Sequence, residues 1–138
     1  METDKKNLRV LIADSSAMLR AKIAEWIGEI EGAEVAGEAQ TAHGATAAIA
    51  KLKPDVAILD LLAAEGTALD VLAKIGRKPR GLTVIILTDF PYRILRDRCL
   101  ALGADHFFDK ANDFEKAVDV VERLAKKHRG KSKRERAQ

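Results

Sequence analysis

Pro54-Asp55-Val56-Ala57-Ile58-Leu59-Asp60 constrains the fold more than any other stretch of the chain. A strand with one wet face would alternate polar and apolar residues, so this unbroken apolar run reads as a strand covered on both faces. A strand of that kind belongs at the centre of a parallel sheet. It ends on Asp60 and so carries a charge to the sheet's carboxyl edge, where departing loops diverge and open a crevice for ligands.

The rest of the chain supplies the surroundings. Leu8-Arg9-Val10-Leu11-Ile12-Ala13 is a second apolar run, and it too ends on an acid, Asp14. Ser15 or Ser16 then caps a predicted helix whose stripe is Leu19, Ile23, Trp26, Ile27 and Ile30, closing at Gly32. Residues 34–39 read as a shorter, less buried strand, and a helix through Ala45, Ala48, Ile49 and Leu52 runs to Pro54. After a loop around Gly66, residues 69–75 form a short helix, and Pro79-Arg80-Gly81 is a turn. Leu82–Leu87 is a third apolar strand, ending on Thr88-Asp89. The next helix is read with Tyr92, Leu95, Cys99 and Leu102 on one face. Residues 105–109 are the last strand, bracketed by Asp105 and Asp109 and followed by Lys110, and Phe114, Val118, Val121 and Ala125 mark the last helix. Five strands alternating with five helices predict an α/β domain, a parallel sheet with helices on both faces and right-handed crossovers.

Composition narrows the partners. The net charge of +3 is carried by the end of the chain, because Lys126 to Gln138 holds seven Lys/Arg against one acid and the remainder is at −3. The expected organisation is a short N-terminal extension (residues 1–7), one domain (8–128) and a basic, disordered tail (129–138). A nucleic acid is therefore not the expected partner of the domain body. No apolar run approaches membrane-spanning length and no signal-type segment opens the chain, so the expected compartment is the cytoplasm, without membrane contact. Cys99 is the single cysteine and reads as a core residue; His43, His106 and His128 have no metal spacing; Trp26 reads as core. No turn carries a dinucleotide or nucleotide-triphosphate glycine motif.

What the strand ends offer instead is Asp14, Asp60, Thr88 and Lys110. Two converging carboxylates repel unless a cation lies between them. An all-oxygen donor set without His or Cys suits Mg²⁺, which retains waters and shares its shell with phosphate oxygens. Thr88 would add a hydroxyl and Lys110 a compact positive charge, and together these groups describe phosphoryl transfer to a carboxylate. Taken singly, Asp14 is also a plausible helix cap and Asp60 a buried acid paired with Lys110 without turnover.

The order Val10-Leu11-Ile12-Ala13-Asp14-Ser15-Ser16, Pro54 to Asp60, Leu87-Thr88, Gly103-Ala104-Asp105 and Phe108-Asp109-Lys110 resembles the receiver domain of bacterial two-component response regulators, over about Leu8 to Leu124. The resemblance implies a flavodoxin-like doubly wound sheet of order 2-1-3-4-5. It also implies a Mg²⁺ site at Asp14, Asp60 and the backbone carbonyl of Leu62. Asp60 would be the phosphoacceptor, Thr88 and Lys110 would bind phosphoryl oxygens, and Thr88 and Phe107 would switch. The implied donor is a sensor histidine kinase or phosphotransfer protein. The signal would pass in trans, without enzymatic output, through a face of the fourth helix, fifth strand and fifth helix (about Tyr92 to Lys126) to a further protein or a second copy. Three departures stand out. Ser15 occupies the place of a second metal-binding acid and weakens the site, Asp89 replaces a small residue, and Ala111 replaces a proline, so a trans bond is expected after Lys110. Two alternatives follow from the departures and the tail: a pseudo-receiver interaction module with an impaired Mg²⁺ site at Ser15, or nucleic-acid contact through the basic tail.

Overall fold

The computed structural model describes residues 7–62, 65–76, 78–79 and 81–137, the last seven by their backbone alone. The N-terminal extension lies almost wholly outside the described residues, as do Ala63, Ala64 and Arg80 of two expected turns. The chain runs β1 (Leu8–Ala13), α1 (Ala17–Gly28), β2 (Ala33–Ala39), α2 (Ala42–Leu52), β3 (Val56–Asp60), α3 (Ala68–Ile75), β4 (Thr83–Thr88), α4 (Arg93–Ala101), β5 (His106–Asp109) and α5 (Phe114–Ala137). All strand pairs are parallel, in the order β2-β1-β3-β4-β5. This is the flavodoxin-like arrangement.

Alternation along the strands divides the core in two. Leu11, Ala57, Leu59, Val84 and Ile86 meet Ala45 and Ile49 of α2, Val71 and Leu72 of α3, and Cys99 of α4. Val10, Ile12, Val56, Ile58, Ile85 and Leu87 meet Ile23 and Ile27 of α1 and Ala117, Val121 and Ala125 of α5. Every residue of β3 is buried, as its unbroken apolar run requires. Hydroxyls start three helices: Ser16 Oγ accepts from Leu19 N at 3.2 Å, Thr41 Oγ1 from Gly44 N at 2.9 Å, and Thr67 forms a reciprocal capping box with Asp70.

Several boundaries differ from the sequence reading. Helix α1 ends at Gly28, and Gly32, at φ 87°, instead closes the turn into β2. Strand β2 has seven residues and is the longest, though half-exposed at the sheet edge as expected. In α4 the expected four-residue stripe is buried only at Cys99, with Leu95 half-buried; Tyr92 and Leu102 flank the helix and are exposed. Helix α5 continues to Ala137, through the segment expected to be a disordered tail. A helix already nucleated on the core extends one hydrogen bond at a time, so polar composition alone does not mark its end. The bond after Lys110 is trans.

Candidate functional site

Asp14, Asp60 and Thr88 are the buried polar side chains among the described residues, at 3%, 9% and 0% exposure. Burying such groups costs free energy unless they are paired, so their gathering at one place marks a site rather than an accident of packing. Register explains the gathering. Ala13 is opposite Leu59 on the neighbouring strand, so Asp14 and Asp60 both stand one position further toward the carboxyl edge. On β4, Thr88 is opposite Asp109 of β5, immediately before Lys110. Backbone bonds fix each position: Asp14 N to Ala39 O at 3.0 Å, Leu61 N to Leu87 O at 3.1 Å, and Lys110 N to Thr88 O at 2.9 Å.

Lys110 completes the cluster. Its Nζ is 2.8 Å from Asp14 Oδ2 and 3.1 Å from Asp60 Oδ1, and its side chain is 12% exposed. One ammonium therefore sits between two carboxylates. Burial pushes the Asp60 carboxyl above the ordinary carboxylate range; Lys110 pulls it down and Asp14 pushes it up, and the upward direction prevails. Burial by itself would depress the Lys110 amine, but its hydrogen bond to Asp14 and the charge of Asp60 outweigh that and hold it above its usual value.

Asp14 also accepts from Ser16 N at 2.8 Å, so it serves the start of α1 as well as the site. Ser15, between them, is exposed. Leu62 N lies 3.4 Å from Asp60 Oδ1, a local contact at the start of the turn after β3. The carboxylates of Asp14 and Asp60, both within reach of Lys110 Nζ, are oxygen donors of the kind that suits a hard divalent cation, and they are two in number. Thr88 Oγ1 accepts from Phe90 N at 2.8 Å, tying that hydroxyl to the loop entering α4. Phe107 is half-buried on the α2–α4 side of the sheet.

Three features were not singled out in the sequence. Arg20 Nη1 donates to the Asp14 carbonyl at 2.6 Å while its Nε reaches Glu38 Oε1 at 3.2 Å, bracing the end of β1 from α1. Asp105, though exposed, accepts from Val84 N at 2.8 Å and pairs with Lys78. Met18, Leu62, Phe90, Tyr92 and Ile94 are exposed on the segments that leave the carboxyl ends of β1, β3 and β4. A cavity of about 490 Å³ lined by Ile49, Pro54, Ile75 and Leu82 lies at the opposite, amino-terminal edge and shares no residue with the cluster.

Residues 10–122 match the response regulator receiver domain family. The chain is 32% identical over 114 residues to the transcriptional regulatory protein PdtaR of Mycobacterium tuberculosis, covering 83% of this chain and 55% of that protein. It is 30% identical over 112 residues to a protein-glutamate methylesterase/protein-glutamine glutaminase of Bradyrhizobium diazoefficiens, covering 80% of this chain and 28% of the relative. The chain thus spans between about a quarter and just over half of these relatives. The response regulator domain of Thermotoga maritima CheB superposes with a TM-score of 0.76 at 22% identity, over 90% of this chain and 97% of that domain, a likeness of fold. With the matched segment running from β1 into α5 and the buried acids, hydroxyl and lysine all inside it, this chain belongs to the response regulator receiver family.

Proposed function

We propose that the chain is a phosphoacceptor switch: Asp60 takes a phosphoryl group from a phosphohistidine on a sensor kinase or phosphotransfer protein and passes the signal to a separate protein. The observation that carries this reading is the Lys110 ammonium held between Asp14 and Asp60 at the carboxyl edge. An oxygen of Asp60 attacks phosphorus, the P–O bond forms as the P–N bond breaks, and the imidazole leaves and takes a proton from solvent. Bound between Asp14, Asp60 and the Leu62 carbonyl, Mg²⁺ would neutralise the charge that accumulates there. Lys110 turns from the carboxylates to the phosphoryl oxygens, and the Thr88 hydroxyl does the same. Since Thr88 Oγ1 holds Phe90 N, its turn loosens the loop into α4. Phe107 and Thr88 fall on the same side of the sheet, which supports a joint movement that alters the face of α4, β5 and α5, where a partner or a second copy docks. The exposed apolar side chains from Met18 to Ile94 around the carboxyl edge suit a protein donor. A cytoplasmic setting and a non-enzymatic output go with this reading.

Ser15 favours a second reading, an interaction module whose metal site has weakened, because Lys110 already offsets one of the two carboxylate charges. Incubation with acetyl phosphate over a Mg²⁺ series, read by intact mass, separates the two. The first reading expects an adduct in the natural chain that forms at lower Mg²⁺ in Ser15→Asp. An adduct confined to Ser15→Asp would establish the second.

A further inference from the structure

The end of α5 is where the molecule departs furthest from a neutral domain. Among the described side chains its last buried residue is Ala125, and twelve further residues continue as helix to Ala137. They carry Lys126, Lys127, Arg129, Lys131, Lys133, Arg134 and Arg136 against Glu135, and their one aliphatic side chain is that of Ala137. At about 1.5 Å of rise per residue, seven cations fall within ~15 Å of axis, or one per ~2 Å. Duplex DNA carries one phosphate per about 1.7 Å of its axis, and a single strand one per about 3.4 Å. A helix polar all round would lie poorly on a lipid surface, which needs an apolar face to bury.

Register and anchoring make the arm a continuation of the body. At about 100° per residue, positions 127 and 134 fall on the helix side that carries the exposed Lys116 and Arg123, and positions 126 and 133 lie about a quarter turn away. His128, Ser132 and Glu135 fall on the line that buries Ala117 and Val121. Arg129 seats the first turn: its Nη1 is 3.0 Å from Glu31 Oε1, and its stem crosses Gly32 so closely that a Cβ there would meet its Cδ at 2.6 Å. The groove where α5 meets the β5 edge adds Lys116 and Arg123, balanced by Asp119 and Glu122, so the net positive charge lies on the arm. Like charges three and four residues apart, such as Lys127 with Lys131 and Arg129 with Lys133, each oppose the helix by about 0.2–0.5 kcal/mol. Gly130 costs it about 1 kcal/mol more than alanine would. A polyanion laid along the arm relieves the first cost and favours the helix.

From this charge pitch, register and anchoring we infer that residues 126–137 form a helical arm that binds the phosphodiester backbone of nucleic acid without reading its sequence, independently of the chemistry at Asp60. The test uses the full chain with fluorescently labelled duplex DNA and single-stranded RNA of mixed sequence, by anisotropy, with ellipticity followed in parallel. Six cations, Arg129 being held by Glu31, predict log K falling against log salt with a slope of about −5 on duplex and about −4 on a single strand. The steeper and tighter of the two identifies the source of the backbone. Lys126→Gln/Lys127→Gln/Lys133→Gln/Arg134→Gln is expected to lose at least ~30-fold in affinity at low salt and most of the slope, whereas Lys51→Gln/Lys74→Gln, on α2 and α3, keeps both. Helical ellipticity rises on binding. Absence of binding near 50 mM salt, or unchanged affinity in the fourfold variant, overturns the inference. So does polyglutamate competing as well per charge as nucleic acid, which would assign the arm to an acidic protein, and so does tighter binding to anionic lipid vesicles.

Discussion

Lys110 is the residue on which the site balances. Its ammonium is shared by two buried carboxylates, so removing it leaves two like charges facing each other in a poorly solvated place. Breaking a buried pair in this way costs about 3–5 kcal/mol. Lys110→Met is therefore expected to lower the urea midpoint sharply at neutral pH, and Mg²⁺ is expected to recover part of the loss by taking the place between the acids. Asp60 behaves in the opposite sense. Burial first, and Asp14 after it, raise its folded pKa above the unfolded value despite Lys110. Its contribution to stability is then present below the unfolded pKa and is lost as pH rises through the folded one. Asp60→Asn should raise the urea midpoint at pH 7, with the gain narrowing as pH falls toward and below the ordinary carboxylate range. The four residues at the strand ends were legible because an apolar run that stops on a charge or hydroxyl exposes its end in the sequence. Arg20 was not, since a cation on an amphipathic helix looks the same whether it meets water or the Asp14 carbonyl at 2.6 Å.

Elements position these residues, and β3 matters most because both halves of the core pack on it. Ile58 is 4% exposed and faces α1 and α5 directly before Asp60's neighbour in sequence. Ile58→Ala should cost about 2–5 kcal/mol in urea denaturation, against less than about 0.5 kcal/mol for a change at exposed Lys51. Helix α3 has only eight residues and leans on its capping box, so Thr67→Ala should cost about 0.5–2 kcal/mol. Strand order and helix number could be read from the alternation of elements and the resemblance, but the limits of α1 and α4 could not. Gly32 suggested the end of α1, yet it serves the turn beyond it, with Arg129 packed over its missing side chain. Tyr92 and Leu102 kept helical spacing with Cys99 but lie past the two ends of α4, where no partner element covers them.

At the scale of the molecule, charge and burial are segregated. Two acids sharing one lysine lie at the carboxyl edge of the sheet, apolar side chains surround that edge, and the excess of positive charge extends from the end of α5. The location of that charge was plain in the sequence; its helical form was not, because the composition that argues for disorder is overridden by continuity with a packed helix. If Asp60 is the phosphoacceptor, as proposed above, intact mass after incubation with acetyl phosphate and saturating Mg²⁺ shows a single phosphoryl adduct in the natural chain and none in Asp60→Ala. An adduct of equal yield in both, or no adduct in the natural chain, would contradict that role.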